Sequence, residues 1–174
     1  MPSGFGFALL GPPAQRAFPT ESSSPSVRLG MGLIDDTEFD RWRTQAQRTV
    51  DTARLAADGG SYGWSCFLCE QAAQLAVKGL LHAIGEDAWG HDLPQLLDRA
   101  SLALEADWSA ISDVGDELSR HYIPARYPDA HPSGTPEDHY NKTSTRLAFS
   151  YVDSILAVVD DAWRALHLAE GGPA

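Results

Sequence analysis

Apolar residues recur at helical spacing along most of the chain after residue 35, and no stretch shows the two-residue alternation of a half-buried strand. The segment "DTEFDRWRTQAQRTVDTARLAAD" opens with acidic residues and stops at a Gly-Gly pair, as amphipathic helices often do. The pattern predicts a first helix over this segment, with an apolar stripe made of Phe39, Trp42, Ala46, Val50, Ala53 and Ala57.

Four further helices follow from the same periodicity. The second, from about Ser61 to Ile84, is apolar over most of its circumference, which is typical of the central helix of a bundle. The third is "HDLPQLLDRASLALEA", with Asp92 as its cap and Pro94 in its first turn, and the fourth is "DWSAISDVGDELSRHYI". A long final helix begins near Glu137. Its predicted core positions are Leu147, Tyr151, Ile155, Val158, Val159 and Ala162. These elements predict an all-α antiparallel up-and-down bundle of about five helices over residues 31–170.

The first 30 residues differ from the rest, because they are rich in Gly, Pro and Ser and lack periodicity. We expect a disordered tail there. Met31 is a second candidate start of the chain, which leaves open whether the tail is native. A signal peptide would carry basic residues ahead of its apolar patch, and "MPSGFGFALL" has none. No apolar run reaches the roughly 20 residues of a membrane span, so we expect a cytoplasmic protein without membrane contact.

Charge limits the partners that such a chain can bind. The net charge of the 174 residues is −11, and Lys78 and Lys142 are the only lysines. The average field repels nucleic acid, so any such contact needs a local basic spot. Arg120, His121, Tyr122 and Arg126 form a compact cationic spot after the fourth helix, where a phosphate or an acidic partner could bind.

Two further patterns have more than one interpretation. Cys66 and Cys69 form a C-x-x-C pair inside the second helix, where packing as small apolar side chains is favoured over a redox or zinc role. A helical di-metal enzyme would need Glu-x-x-His motifs, and no Glu here is followed by His at that spacing. We therefore expect no metal site and no cofactor.

Several segments in order carry a family resemblance. The sequence has an "RW" helix, then "FLCEQAAQLAVKGLLHAIG", then "HDL", then "YIPARYPDA", then a long terminal helix. This order resembles the HEPN domain family (higher eukaryote and prokaryote nucleotide-binding) from about Phe39 to Trp163. "ARYPDA" at 125–130 matches the family signature. In the segment from Glu70 to Leu81, Glu70 and Gln74 depart from the usual Gln and Glu.

The resemblance implies a helical domain that pairs as a homodimer and binds nucleotide or RNA at the dimer cleft. It implies a small nucleotidyltransferase as partner, in a toxin–antitoxin type of pair. Many members are metal-independent endoribonucleases that use an Arg-x(4–6)-His motif. Others lack the chemistry and serve as binding or protein–protein interaction modules, and the sequence leaves this alternative open.

Arg126 and His131 are the one match to that motif. His131 could transfer the proton of a ribose hydroxyl, and Arg126 could hold the phosphate. Tyr127 and Asp129 could orient both groups, and Arg120, Tyr122 and Lys78 could add contacts to the substrate or nucleotide. About one such match is expected by chance, however, given the numbers of arginines and histidines and the three allowed spacings.

Two residues outside this motif also have simpler interpretations. Lys78 could form an internal ion pair with Glu70 instead of contacting a phosphate. His91 could belong to the cap of the third helix.

Overall fold

The computed structural model describes residues 34–170, and within them the chain is entirely helical apart from its turns. The helices are α1 (Asp36–Asp58), α2 (Tyr62–Ala83), α3 (Leu93–Ala103), α4 (Ser112–Ser119), α5 (Pro136–His139) and α6 (Lys142–Glu170). Short 3-10 turns occur at Ser109–Ile111 and Pro128–Ala130. The predicted all-α antiparallel bundle is confirmed.

The first two helices form an antiparallel hairpin. Asp35 caps α1 by accepting a hydrogen bond from the amide of Glu38, and its own amide donates to the carbonyl of Ala83 at the far end of α2. Gly60, with a φ of +83°, makes the reversal between them. The Ser65 hydroxyl donates to the Ala53 carbonyl at 2.8 Å in the buried interface near this reversal, so hydrogen bonds hold the hairpin at both of its ends.

Helix α2 is the central element, as its apolar circumference predicts. It contacts α1, α3, α4, α5 and α6, and most of its residues are buried. Helix α3 starts as expected, with Asp92 accepting a hydrogen bond from the amide of Gln95 and Pro94 in the first turn. Burial of this one helix on nearly all sides supplies much of the apolar area that stabilises the domain.

Side chains also join α1 to α6. The rings of Phe39 and Trp163 are stacked, with centroids 4.0 Å apart and planes inclined by 9°. Arg43 makes a two-pronged contact with Asp160, Nε to Oδ1 at 2.7 Å and Nη2 to Oδ2 at 2.8 Å. Such bidentate pairs fix orientation as well as distance. The last helix is therefore positioned against the first as well as against α2.

Two helix boundaries differ from the sequence prediction. Helix α4 ends at Ser119, and the chain continues in tight turns in which the amides of His121 and Tyr122 donate three residues back. Pro124 opposes a longer helix, since it lacks an N–H and restricts the residue before it. The predicted final helix is interrupted at Tyr140, which is extended, and Asn141 caps α6 by accepting hydrogen bonds from Thr143 and Ser144.

The predicted core face of α6 was partly wrong. Ile155 and Val159 are buried as expected, but Leu147 is 42% exposed, and Tyr151, Val158 and Ala162 lie at the edge of the core. The buried positions include Thr145, Ala148, Val152, Leu156 and Trp163. Apolar residues occupy adjacent positions on this helix, so periodicity alone could not fix which of them face the core.

Other expectations have mixed outcomes. Trp64 and Trp89 are exposed. On α1, Trp42 and Ala57 are only partly buried, so the apolar stripe is narrower than predicted. The predicted disordered tail at residues 1–30 lies outside the described residues. No helix within residues 34–170 is both long and apolar enough to cross a membrane.

Candidate functional site

The connection between α4 and α6 is held against the start of α2 by Glu137. The Glu137 carboxylate accepts hydrogen bonds from the backbone amides of Gly63 at 3.1 Å and Trp64 at 3.5 Å. Ser61, at the cap position of α2, makes no side-chain cap bond of its own. Gly63 lies so close to Glu137 and to the Ala125 carbonyl that a larger residue would crowd both. Glu137 therefore caps α2 from a segment distant in sequence. The same contacts hold "ARYPDA" against the start of α2.

Arg126 lies among three aromatic rings. Its Nε donates to the Tyr122 carbonyl at 2.7 Å. Its guanidinium carbon is 4.3 Å from the ring centroid of Tyr122, 4.6 Å from that of Phe67 and 5.0 Å from that of Tyr127. Arginine favours such stacked positions because its planar cation is weakly hydrated. We call Arg126, Phe67, Tyr122 and Tyr127 the arginine cluster.

The arginine cluster leaves part of the guanidinium uncommitted. No carboxylate within residues 34–169 forms an ion pair with Arg126, whereas Arg41, Arg43, Arg54, Arg120 and Arg164 all have one. Arg126 itself is only partly buried. A cation held by rings instead of by an acid keeps its charge available to an incoming anion.

A buried carboxyl group lies beside the arginine cluster. Glu70 is 0% exposed and accepts hydrogen bonds from the side-chain amides of Gln71 at 2.7 Å and Gln74 at 2.5 Å. Burial raises the pKa of Glu70 to about 7, against the opposing effects of these hydrogen bonds and of the positive charges on Arg126 and Lys78. The Glu70 side chain therefore titrates close to neutral pH.

Gln74 connects Glu70 to the loop before α3. Its side-chain nitrogen also donates to the His91 carbonyl at 3.0 Å, and its side-chain oxygen lies 3.3 Å from Nδ1 of His91. The His91 ring in turn stacks on Tyr122, with centroids 5.3 Å apart and planes inclined by 16°. A continuous set of contacts thus runs from Glu70 through Gln74, His91 and Tyr122 to Arg126. His91 is part of this site, while the cap of α3 is Asp92.

Lys78 lies next to this set but does not pair with Glu70. Its Nζ donates to the Gly90 carbonyl at 2.6 Å, and no salt bridge joins it to Glu70. Partial burial lowers the pKa of Lys78, and the negative charge on Glu70 opposes that shift. The predicted alternative of an internal ion pair between Lys78 and Glu70 is therefore wrong. The charge of each residue nevertheless affects the pKa of the other.

His131 is not joined to Arg126 by any hydrogen bond or ring contact in the described chain. Its Nε2 lies 2.7 Å from the Pro124 carbonyl, and its ring stacks on His139, with centroids 4.1 Å apart. His139 bonds in turn to the Ser133 carbonyl at 2.6 Å. Because a carbonyl only accepts, Nε2 of His131 carries the hydrogen and Nδ1 is the basic nitrogen when the ring is neutral.

The remaining predicted residues divide between the cluster and the surface. Tyr122 and Tyr127 are in the arginine cluster. Arg120 instead pairs with Glu117 at 3.0 Å on the surface, and Asp129 is exposed in the 3-10 turn. The prediction missed Phe67, Gln74 and the contact role of Glu70. A signal was present, since Glu70, Gln74 and Lys78 follow one another at i, i+4 and i+8 on a mostly apolar helix.

The cysteine pair packs in the core. Cys66 and Cys69 are free thiols, both 0% exposed. Burial raises the pKa of Cys66 to about 11 and that of Cys69 further, so both remain neutral thiols. No cluster of three or more His, Cys, Asp or Glu side chains suited to a metal ion occurs among residues 34–169.

Comparison with known proteins identifies the family. A model of the HEPN domain matches residues 39–162. The chain belongs to the HEPN domain family. A search of curated proteins gives no match. The matched range includes "ARYPDA" and most of the terminal helix.

Solved structures support this assignment. The chain is 34% identical to TT1696 from Thermus thermophilus, with a TM-score of 0.68 over 72% of this chain and 98% of that one. It is 32% identical to ST0689, an archaeal HEPN homologue, with a TM-score of 0.60 over 71% and 95% of the two chains. A HEPN domain protein of Thermotoga maritima is 27% identical, with a TM-score of 0.57 over 71% and 98%. The HEPN domain thus accounts for most of this chain.

Proposed function

We propose that this HEPN protein binds a nucleotide or single-stranded RNA through a phosphate at Arg126. The observation that carries the proposal is the guanidinium held by three aromatic rings without a carboxylate partner in the described chain. A phosphate would meet the uncommitted edge of this cation, and a base could lie on Tyr127, which is 47% exposed. In a chain of net charge −11, such a local cation is what an anionic ligand needs.

The functional unit in this proposal is a homodimer. Pairing is common among HEPN domains, and exposed apolar side chains lie on the same connection as Arg126, with Ile123 and Tyr127 each 47% exposed. A second copy packed there would cover this apolar surface and bring two arginine clusters to one cleft. We further propose a small nucleotidyltransferase as partner in a toxin–antitoxin type of pair, an inference that rests on the family alone.

Metal-independent RNA cleavage is the second candidate function. The hydrogen bond from Nε2 of His131 to the Pro124 carbonyl favours it, because this bond orients the ring and leaves Nδ1 as a base. Cleavage would also require His131 to come near the phosphate at Arg126, which a second copy or bound RNA could bring about. His131 would then take the proton of the ribose 2′-hydroxyl, and Arg126 would stabilise the phosphate as the 2′-oxygen bonds to phosphorus and the P–O5′ bond breaks. The protonated His131 would return the proton to the departing 5′-oxygen, which leaves a 2′,3′-cyclic phosphate and a 5′-hydroxyl.

Binding and cleavage are tested separately on the full chain. We expect wild type to bind a short single-stranded RNA in calorimetric titration and Arg126→Gln to bind at least tenfold more weakly. Arg99→Gln removes an equal charge from an exposed site on α3 and serves as the control. If Arg99→Gln weakens binding as much as Arg126→Gln does, net charge and not the arginine cluster is responsible. If wild type binds neither nucleotide nor RNA, a protein–protein interaction module is the better description.

Cleavage is measured with chelator present and with His131→Ala. A general acid or base contributes roughly 10²–10⁴-fold to rate, so an active wild type and an inactive His131→Ala that still binds RNA would support catalysis. Equal cleavage by wild type, Arg126→Ala and His131→Ala would refute the catalytic pair. Size measurement in solution, alone and with a coexpressed nucleotidyltransferase, tests the proposed assembly.

A further inference from the structure

A separate cavity, shallow and open to solvent, lies where the end of α1 and the start of α2 meet the first two turns of α6. Its volume is about 330 Å³, and its walls include Asp58, Tyr62, Lys142, Thr145, Arg146 and Phe149. None of these residues belongs to the arginine cluster. The volume lies at the low end of the range of about 300–1,000 Å³ for small-molecule sites, which suits one nucleotide unit.

Two cations line this cavity. Lys142 and Arg146 are one helical turn apart, so both side chains project from the same side of α6. Both are exposed, and neither has a carboxylate within salt-bridge distance in the part of the chain that the structure describes. Asp58 is the single acid in the wall, so the lining has an excess of positive charge in a strongly acidic chain.

The rest of the wall offers aromatic surface. Phe149 and Tyr62 are both partly exposed, and the guanidinium of Arg54 lies 5.8 Å from the ring centroid of Phe149. The amides of Thr143 and Ser144 are already bonded to Asn141, and the Thr145 hydroxyl donates to the Asn141 carbonyl. The side chains of Lys142 and Arg146, and not the helix end, are therefore the groups that could hold an anion.

We propose that this cavity is a second nucleotide site, which takes a nucleoside 5′-phosphate unit, either free or within single-stranded RNA. The phosphate lies between Lys142 and Arg146, and the base lies on the Phe149 and Tyr62 side. Aromatic rings beside backbone-binding cations are the usual way in which proteins hold single-stranded nucleic acid without reading a long sequence. Asp58 can accept a hydrogen bond from ribose hydroxyls, and its charge disfavours ligands with several clustered phosphates.

The site shares its ligand class with the proposed function but does not depend on Arg126. With RNA bound at both places, the chain would contact the strand at two points. Stacking on an aromatic ring stabilises a bound base, so we expect a nucleoside phosphate to bind at least fivefold more tightly than phosphate alone.

The test uses the full chain carrying Arg126→Gln, with 5′-AMP, adenosine and inorganic phosphate as probes. We expect 5′-AMP to shift the backbone amide signals of residues 142–149 in a nitrogen-edited NMR titration. Lys142→Gln with Arg146→Gln should weaken 5′-AMP binding at least tenfold. Arg48→Gln with Arg99→Gln removes the same charge from exposed positions on α1 and α3 and should change it less than twofold.

Each outcome bears on the site in a defined way. Phosphate binding as tightly as 5′-AMP, or amide shifts confined to other residues, would overturn the proposal. Equal weakening by the control pair would do the same. Phe149→Leu should weaken the binding of 5′-AMP but not the binding of phosphate. Because Phe149 is partly buried, the melting curve of this variant is compared with that of wild type. Lys142→Gln alone changes only an exposed side chain, so weaker 5′-AMP binding by this variant reports on the site and not on misfolding.

The two sites can be told apart with single-stranded RNA. Loss of RNA binding in Arg126→Gln with retained 5′-AMP shifts at residues 142–149 supports both sites. Retained RNA binding in Arg126→Gln with loss on removal of Lys142 and Arg146 contradicts the proposed function and supports the present inference. If Arg126→Gln weakens the binding of both RNA and 5′-AMP, and removal of Lys142 and Arg146 weakens neither, the second site is refuted.

Discussion

The carboxylate of Glu70 accepts a hydrogen bond from Gln74 at 2.5 Å, one turn further along α2, in an interior to which solvent has no access. The partners that reach Glu70 by hydrogen bonding are neutral amides, and the cations Arg126 and Lys78 act on it only through space. A charge with neutral partners in such a place is costly, which is why the pKa of Glu70 rises to about 7.

Glu70→Gln should remove a pH dependence of stability. The folded-state pKa of about 7 lies above the ordinary value of 4.5, so the folded chain holds a proton that the unfolded chain releases. This contribution to the free energy of unfolding is complete below pH 4.5, declines as the pH rises, and is lost once the pH passes 7, a loss on the order of 3 kcal/mol. Urea unfolding of wild type and Glu70→Gln at several pH values measures the difference.

Wild type is compared with Glu70→Gln because the titration of His121 changes the stability of the fold with pH in the opposite direction. Burial lowers the pKa of His121, so its contribution to stability is lost as pH falls below the unfolded value of 6.5. His121 is present in both proteins and cancels in the difference. A difference in unfolding free energy that stays constant from about pH 4.5 to 7.5 would contradict the assignment of a raised pKa to Glu70.

RNA binding at Arg126 should take up protons. A phosphodiester near Arg126 adds negative charge close to Glu70 and offsets the positive charge that lowers its pKa, so the pKa rises on binding. Affinity for a short RNA without terminal phosphate should therefore fall several-fold from about pH 6 to pH 8, since a phosphodiester does not itself titrate in this range. Calorimetry in two buffers of different ionisation enthalpy counts the protons, and Glu70→Gln should show none.

The bundle and the helix order could be predicted because each helix except α4 and α5 is long enough to show its periodicity. The short elements could not, since their form depends on tertiary contacts. Glu137 looked like the start of a long helix, yet its carboxylate caps α2, and Asn141 begins a new helix instead of continuing the old one. From the sequence alone, an Asn such as Asn141 can be assigned either to the interior of a long helix or to the cap of a new one.

The candidate site could be predicted in part for a similar reason. Arg126, Tyr122 and Tyr127 are neighbours in sequence, so their proximity was foreseeable. The contact with Phe67 and the line of contacts through His91 join residues about 30 to 60 positions apart. The spacing of Arg126 and His131 says nothing about side-chain direction, and here the two side chains have separate partners.

Glu137→Ala should destabilise the domain and loosen the arginine cluster. The change leaves the amides of Gly63 and Trp64 without their acceptor, and loss of a helix cap costs about 0.5–2 kcal/mol. Hydrogen exchange should also quicken at residues 120–131, since the cap holds this connection in place. Glu86→Ala, which removes an acid that forms no ion pair in the described chain, is the control. Equal protection of the connection in Glu137→Ala and wild type would show that other contacts suffice.

Gly79→Ala should destabilise the α1–α2 hairpin despite the better helix propensity of alanine. A methyl group at Gly79 would lie 2.5 Å from Cβ of Trp42, an atom next to the backbone that cannot move aside without shifting α1. Alanine gains about 0.5–1 kcal/mol in a helix, and overpacking costs about 1–3 kcal/mol, so a net loss is expected. Gly115→Ala is the matched comparison, because the added methyl would meet only the terminal Cδ1 of Leu97, which can change rotamer. Gly79→Ala should therefore have a lower melting temperature than Gly115→Ala. The opposite order would mean that α1 shifts to accommodate the methyl group more easily than the Leu97 side chain changes rotamer.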